Sequence, residues 1–310
     1  MESTVRVILM KGLALVTGLL LWLCCAPAQA QDVRLAAPSD CLVNAGCGVG
    51  LKSVYGLDVQ SAMVGLTVAD AGVEALDNDL AEVAVAFSSN PQLSRPDIVS
   101  LRDDKHMNYK DRVVPVARKR LFTRHKADAG DIRRRLNAAS AALSTLALRA
   151  LNQEVIDGRM AEAVGGEFID ANGLGGGARH RAGPRITIGF MDFAEDETLA
   201  YLYAEALRAG GYRVRVRSVG GLRPEAVKAL RQDRIDLYPA YDGSLLRYLV
   251  GTSPDRLKAG LRATLARIGC VPLRLTTAQD VNVFVMKSDV ASRLGVSKLS
   301  DLARFWPKAS

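Results

Sequence analysis

The chain has 310 residues, of which 49% are hydrophobic and 24% charged, and its formal net charge is +8. After the N-terminal 30 residues no apolar stretch is long enough to cross a bilayer, and the remaining 280 residues suffice for one large domain or two lobes. The basic runs Arg118–Lys126 and Arg133–Arg135 read as solvated faces, not a phosphate track, because the N-terminus points to export.

That N-terminus has three parts. Arg6 and Lys11 precede an apolar run, GLALVTGLLLWLCC (Gly12–Cys25), and Ala28 and Ala30 stand where a signal peptidase reads small residues. The run is short of the roughly 20 residues that a membrane span needs. Cleavage near Ala30 and a periplasmic or extracellular location are expected. Two of the five cysteines leave with this leader. In an oxidising compartment Cys41 and Cys47 are expected to bridge across a Gly-rich loop, and Cys270 reads as a core thiol.

Past the leader, the spacing predicts a helix starting over Val49–Tyr55, a second over Val73–Asn78, and strands at Glu82–Phe87 and Val113–Val116. Apolar residues from Ile132 to Leu151 recur at helical spacing and predict one long helix. Another runs from Met160 to Asn172 and stops at Gly173. Residues 175–184, GGGARHRAGP, read as a linker. Beyond it come strand Arg185–Gly189, helix Glu195–Ala209, strand Tyr212–Val219, helix Pro224–Gln232, strand Ile235–Tyr238, helix Pro254–Ile268 and strand Asn282–Met286. This β-α-β-α-β series predicts a parallel sheet. Its strand ends would put Phe190–Asp196 and Tyr238–Ser244 on one rim.

Catalytic signatures are missing from the sequence. His106, His125 and His180 share no metal-ligand spacing, and no HExxH, CxxC or GxSxG occurs. Gly46–Gly50 and Gly173–Gly177 lack the context of a phosphate loop. Acids at 195–197 open a helix, where the dipole favours them. The rim is more informative: aromatic rings near Asp192 and Asp242 suit a cation with few hydrogen-bond donors, held by cation–π attraction of about 0.5–2 kcal/mol per ring.

Longer segments carry a resemblance. RITIGFMDFAEDETLAYLYAEALRAGGYRV, RIDLYPAYDGSLL and VNVFVMKSDVASRLGVSKLSDLA resemble the first half of the substrate-binding proteins of ABC importers for glycine betaine, choline and related osmoprotectants. The second of these is similar to that family's "DLYPEYTGT". DCLVNAGCGVGLKSVYGL, VEALDNDLAEVAVAFSSNPQL, IVSLRDDKHMNYKDRVVPVARK, LNAASAALSTLALRALNQEV and AEAVGGEFIDANGL resemble the second half, so nearly all of 32–310 is covered. The halves stand in inverted order, as in a circular permutant joined through 175–184. A shifted fragment of a tandem gene, or a chain that swaps segments with a partner, is the rival reading.

The resemblance implies an α/β, two-lobed periplasmic binding protein of type II character. Lobe A would span 112–278, and lobe B 32–105 plus 288–310. Hinges would lie near 106–114 and 279–287. It implies a non-enzyme without cofactor or metal, a monomeric carrier that closes on a quaternary-amine or zwitterionic solute and hands it to a membrane permease. No nucleic-acid partner is expected. The alternative is a solute sensor for another small polar or cationic ligand. Where the family has "NFTEQ" this chain has Asp192-Phe193-Ala194-Glu195-Asp196, and at "YTGT" it has Tyr241-Asp242-Gly243-Ser244. Asn282 stands where a Tyr is frequent, and Phe87-Ser88-Ser89-Asn90 replaces an aromatic-Ser/Thr-Thr-Asp run. Carried over, Asp192 and Asp242 would balance the positive end. Phe193, Tyr241 and Phe87 would cover its faces, and Ser244, Ser89, Asn90 and Asn282 would bond the polar tail.

Overall fold

The computed structural model describes residues 32–67, 71–176 and 184–306. The expected leader and the centre of the expected linker lie outside the described residues. In chain order the strands are β1 (Leu35–Pro38), β2 (Met63–Leu66), β3 (Val83–Phe87), β4 (Ile98–Ser100), β5 (Val113–Arg118), β6 (Arg185–Phe190), β7 (Arg213–Ser218), β8 (Leu237–Tyr241), β9 (Cys270–Pro272) and β10 (Asn282–Lys287). The helices are α1 (Gly48–Gly50), α2 (Gly72–Asp77), α3 (Lys119–Arg124), α4 (Ala129–Ala142), α5 (Thr145–Ile156), α6 (Ala161–Ala171), α7 (Ala194–Arg208), α8 (Arg223–Arg231), α9 (Asp242–Val250), α10 (Pro254–Leu257), α11 (Gly260–Arg267) and α12 (Ser288–Leu294).

Two five-stranded sheets form, ordered β2-β1-β3-β10-β4 and β7-β6-β8-β5-β9. Both are mixed: β6 pairs parallel with β7 and β8, as the β-α-β-α-β series predicts, and the antiparallel strands come from elsewhere in the chain. β10 runs antiparallel to β3 and β4, and β5 runs antiparallel to β8 and β9. The reason is connectivity: each of these strands enters its sheet from the other one, without a crossover helix of its own. The segments that cross pair with each other, through an Arg112–Gln279 bridge and a 3.0 Å bond from the Asp280 N–H to the Asp111 carbonyl.

Alternation along the central strands builds a core on both faces of each sheet. In β3, Val83 and Val85 join one cluster with Leu51, Phe284 and Trp306, while Ala84 and Ala86 join another with Val73 and Leu76. In β5, Val113 and Ala117 face the cluster of Leu136, Leu199 and Tyr203, and Val114 and Val116 face that of Leu230 and Leu265. Each Val, Leu or Phe side chain among them contributes about 1.5–3 kcal/mol when fully buried. Cys270 is a buried free thiol, and Cys41 is joined to Cys47 in a disulfide that closes the loop before α1.

Three elements differ from expectation. The long helix over 132–151 is two helices, broken at Leu143. The Ala278 N–H and the Thr277 hydroxyl bond the Leu143 carbonyl, and Ser144 caps α5 by accepting from the Ala147 N–H at 3.1 Å. The helix over 254–268 breaks at Gly260, whose φ is +69°. The strand expected at 235–238 runs on to Tyr241, so that YPAY is itself β8 and Asp242 opens a helix.

Candidate ligand site between the lobes

Two adjoining cavities, of about 530 and 300 Å³, lie where the two sheets face each other, and Phe87, Phe193 and Asp280 line both. Their volumes fall within the range of small-molecule sites. Each wall is made of strand ends, the usual place for ligands in open α/β sheets. Phe87 ends β3 and is paired in register with Asn282, the first residue of β10. Phe193 follows β6, Tyr241 ends β8, and Asp111 precedes β5.

Of the residues singled out from the sequence, Phe87, Ser89, Asn90 and Phe193 line the larger cavity, and Phe87, Phe193, Tyr241, Ser244 and Asn282 line the smaller. Asp192 and Asp242 line neither. Asp192 is exposed and accepts from the Ser218 hydroxyl. Asp242 faces Arg112: it accepts from the Arg112 N–H at 2.7 Å and from its guanidinium at 2.9 Å. Asn90 has a local task as well, since its Oδ1 accepts from the Gln92 N–H at 2.9 Å.

The acids that face the cavities are Glu195, Asp280 and Asp111. Glu195, at the start of α7, accepts from the Tyr241 hydroxyl and from Asn152 Nδ2. Asp280 accepts from the Ser89 hydroxyl at 2.8 Å. Burial, then the charge of Glu195, push Asp280 well above the usual carboxylate range. Asp111 Oδ1 accepts the N–H groups of Gly243 and Ser244 at 2.8 and 2.9 Å, so the chain's own carboxylate occupies the N-terminus of α9. Burial raises Asp111 against those bonds. Gly243 permits the approach, because a Cβ there would lie 2.6 Å from the Lys110 carbonyl oxygen.

Behind this wall Asp196 is fully buried and accepts from the Met191 N–H at 2.6 Å. Burial pushes it up to about 8. Arg223, at the start of α8, lines the smaller cavity and donates to the Ser244 hydroxyl at 3.0 Å. Tyr109 lines it too, with the Arg247 guanidinium 3.4 Å from its ring centroid. Two contacts bind the lobes beside the larger cavity: Arg149 Nε donates to the Ser88 carbonyl at 2.7 Å, and Asn152 Nδ2 to that of Ser89 at 3.3 Å.

Sequence reasoning passed over Asp280, Asp111, Asn152, Arg223 and Tyr109, and it gave Glu195 and Asp196 only a helix-dipole role. Asp280 had a usable signal, standing two residues before Asn282 in a crossing segment. Among the described residues no group of His, Cys, Asp and Glu is placed to hold a metal ion. None of their helices is long and apolar enough to cross a membrane.

The family model described as the substrate-binding domain of the ABC-type glycine betaine transport system matches residues 31–171 and 184–309. The chain belongs to this family. It is a substrate-binding component of an ABC transporter with the two-lobed periplasmic binding protein fold, and such proteins of ABC importers work outside the cytoplasm. No curated protein matches the chain. Solved structures similar to it include a phosphate-binding protein of a phosphate ABC transporter from Streptococcus pneumoniae TIGR4 (TM-score 0.44, 10% identity, covering 88% of this chain and 94% of that one). PhnD1 from Prochlorococcus marinus, in complex with methylphosphonate, gives 0.38 and 10%, covering 88% and 82%. The aliphatic sulphonate binding protein SsuA from Escherichia coli gives 0.35 and 11%, covering 85% and 63%. Likenesses this distant say nothing about what this chain holds.

Proposed function

We propose that the family member described here captures a small cationic or zwitterionic solute of the osmoprotectant type, such as a quaternary amine, between its lobes and delivers it to a membrane permease. The observation that carries this reading is the pair of adjoining cavities sharing Phe87, Phe193 and Asp280. Aromatic faces and carboxylates together favour a positive group. An anion finds less: the N-terminus of α9, a ready anion site, is filled by Asp111. In our reading the positive end lies near Asp280 and Glu195, and a carboxylate tail turns toward Arg223, Ser244 and Asn282. Asp192 and Asp242 act through the rim, not by contact.

Thermal unfolding of residues 31–310 against glycine betaine, choline, carnitine, proline betaine and polyamines tests this. A ligand at 100 times its dissociation constant stabilises by about 2.7 kcal/mol, a shift of several degrees. A flat response to the whole panel contradicts the reading.

We also propose that the halves are circularly permuted, with lobe A over 112–278, lobe B over 32–105 and 288–310, and the crossing segments near 106–114 and 279–287 as the hinge about which the lobes close. Support comes from the ends of the described residues, where the Val33 N–H donates to the Phe305 carbonyl at 2.9 Å. Ends that meet in this way are what a change of connection needs.

A further inference from the structure

We infer that the exposed face at the β6–β7 edge is a docking surface for an acidic phospholipid bilayer, which holds the carrier at the membrane. The inference is independent of what the cleft takes.

Three observations carry it. β7 is the edge strand beside β6, and its sequence RVRVRS divides by alternation. Val214 and Val216 pack against the cluster of Leu199 and Tyr203, while Arg213, Arg215 and Arg217 stand exposed on the opposite face. Arg185 of β6, in register with Arg213, is exposed beside them. Along β7 the arginines repeat about every 6.6 Å. α8 packs on the same face of the sheet and carries exposed Lys228 and Arg231. Secondly, the chain does not neutralise this charge. Arg185, Arg215, Arg217, Lys228 and Arg231 have no ion pair among the described residues. The acids close by are engaged elsewhere: Asp233 pairs with Arg118 and Arg120, Asp236 accepts from the Thr187 N–H at 2.9 Å, and Glu225 from the Leu222 N–H at 3.0 Å. Thirdly, none of these basic residues lines either cavity of the cleft. Side chains that stand in a row on a strand enclose no small anion. They match a surface that carries many.

Guarding the sheet edge against another chain is a lesser task. A charge or two of either sign suffices for it, and Arg185 is not on the edge strand. A bilayer bearing phosphate groups uses the whole row, because arginine meets phosphate through charge-assisted hydrogen bonds. Each basic residue near an acidic membrane surface strengthens binding about fivefold. Proteins of this family deliver their ligands to a membrane permease, and a carrier held at the bilayer reaches it by moving along the surface.

Flotation of residues 31–310 with vesicles tests this, using phosphatidylcholine alone and phosphatidylcholine with about one-third phosphatidylglycerol. The wild-type chain should float with the acidic vesicles at low salt, stay behind with the neutral ones, and come off at about 0.5 M salt, where the charges are screened. Arg185→Gln, Arg215→Gln and Arg217→Gln together should weaken binding about a hundredfold, and each alone about fivefold. The same charge is removed elsewhere by Arg102→Gln, Arg267→Gln and Arg293→Gln, three exposed positions off this face. That variant should lose less than about fivefold. No flotation with acidic vesicles, equal flotation with neutral ones, or equal losses in the two triple variants overturns the inference. If the first triple variant melts early, the single variants decide: losses no larger than those of Arg102→Gln or Arg267→Gln alone overturn it.

Discussion

Asp196 holds a carboxyl at the position where the resembled segment has a glutamine, and its surroundings explain the exchange. It is fully buried, one oxygen accepts from the Met191 N–H, and the other has no partner among the described residues. Burial raises it to about 8, so near neutral pH it is a neutral group, as glutamine is. Because the folded-state value lies above the ordinary carboxyl value of 3.8, the folded chain keeps a proton that the unfolded chain loses over the pH range between them. The stability tied to that proton is present at pH 4 and is lost as pH rises through 8. Asp196→Asn has no such loss. Its stability relative to wild type should climb from pH 4 to pH 8 by at least about 1 kcal/mol, or roughly 2–4 °C in Tm, and stay level above. Parallel Tm-against-pH curves would contradict this. The residue scale is also where the sequence was least legible. Phe193 and Tyr241 were named because they stand at the rim formed by strand ends, and Phe87 came through the resemblance alone. Glu195 and Asp196 were passed over because acids in a first helical turn already have a sufficient local role. Asp280 and Asp111 acquire theirs only when two crossing segments pair.

Elements were legible where periodicity is local. Alternation marks β7, short apolar runs mark β3, β5 and β10, and the apolar spacing of α7 survives its three leading acids. The errors fall where tertiary contacts or prolines intervene. No local signal separates α4 from α5, because donors from Thr277 and Ala278 hold the carbonyl at Leu143. The strand expected to end at Tyr238 runs on through Pro239, which sits inside β8 in register with Pro115 of β5. Inverting the halves leaves every such element intact, since it changes only two connections. A chain rebuilt to start at 184, run through 306 into 32 by a short join, and end at 176 should therefore fold as a monomer, with Tm within roughly 5 °C of the original. Gel filtration and thermal melting check this. A rebuilt chain that forms only dimers or fails to fold would favour segment swapping.

At the scale of the molecule, two mixed sheets with the same strand order face each other across a cleft, and the chain crosses between them through paired segments at Asp111–Arg112 and Gln279–Asp280. Asp280 thus sits both on the crossing and in the cavity. Under the proposed function, a cation drawn to it would bias the lobes toward closure, through contacts made only when both walls are near. The two-lobed class was readable from the sequence through the resemblance. The chemistry of the cleft was not, because it depends on carboxylates that come together from distant parts of the chain. The most direct measurement is a crystal structure of the chain soaked with the tightest-binding amine of the panel. The account predicts ligand density between Phe87 and Phe193, with the positive nitrogen about 3–4 Å from Asp280 or Glu195. Density confined to the outer surface, or a nitrogen seated on Asp192 or Asp242, would contradict it.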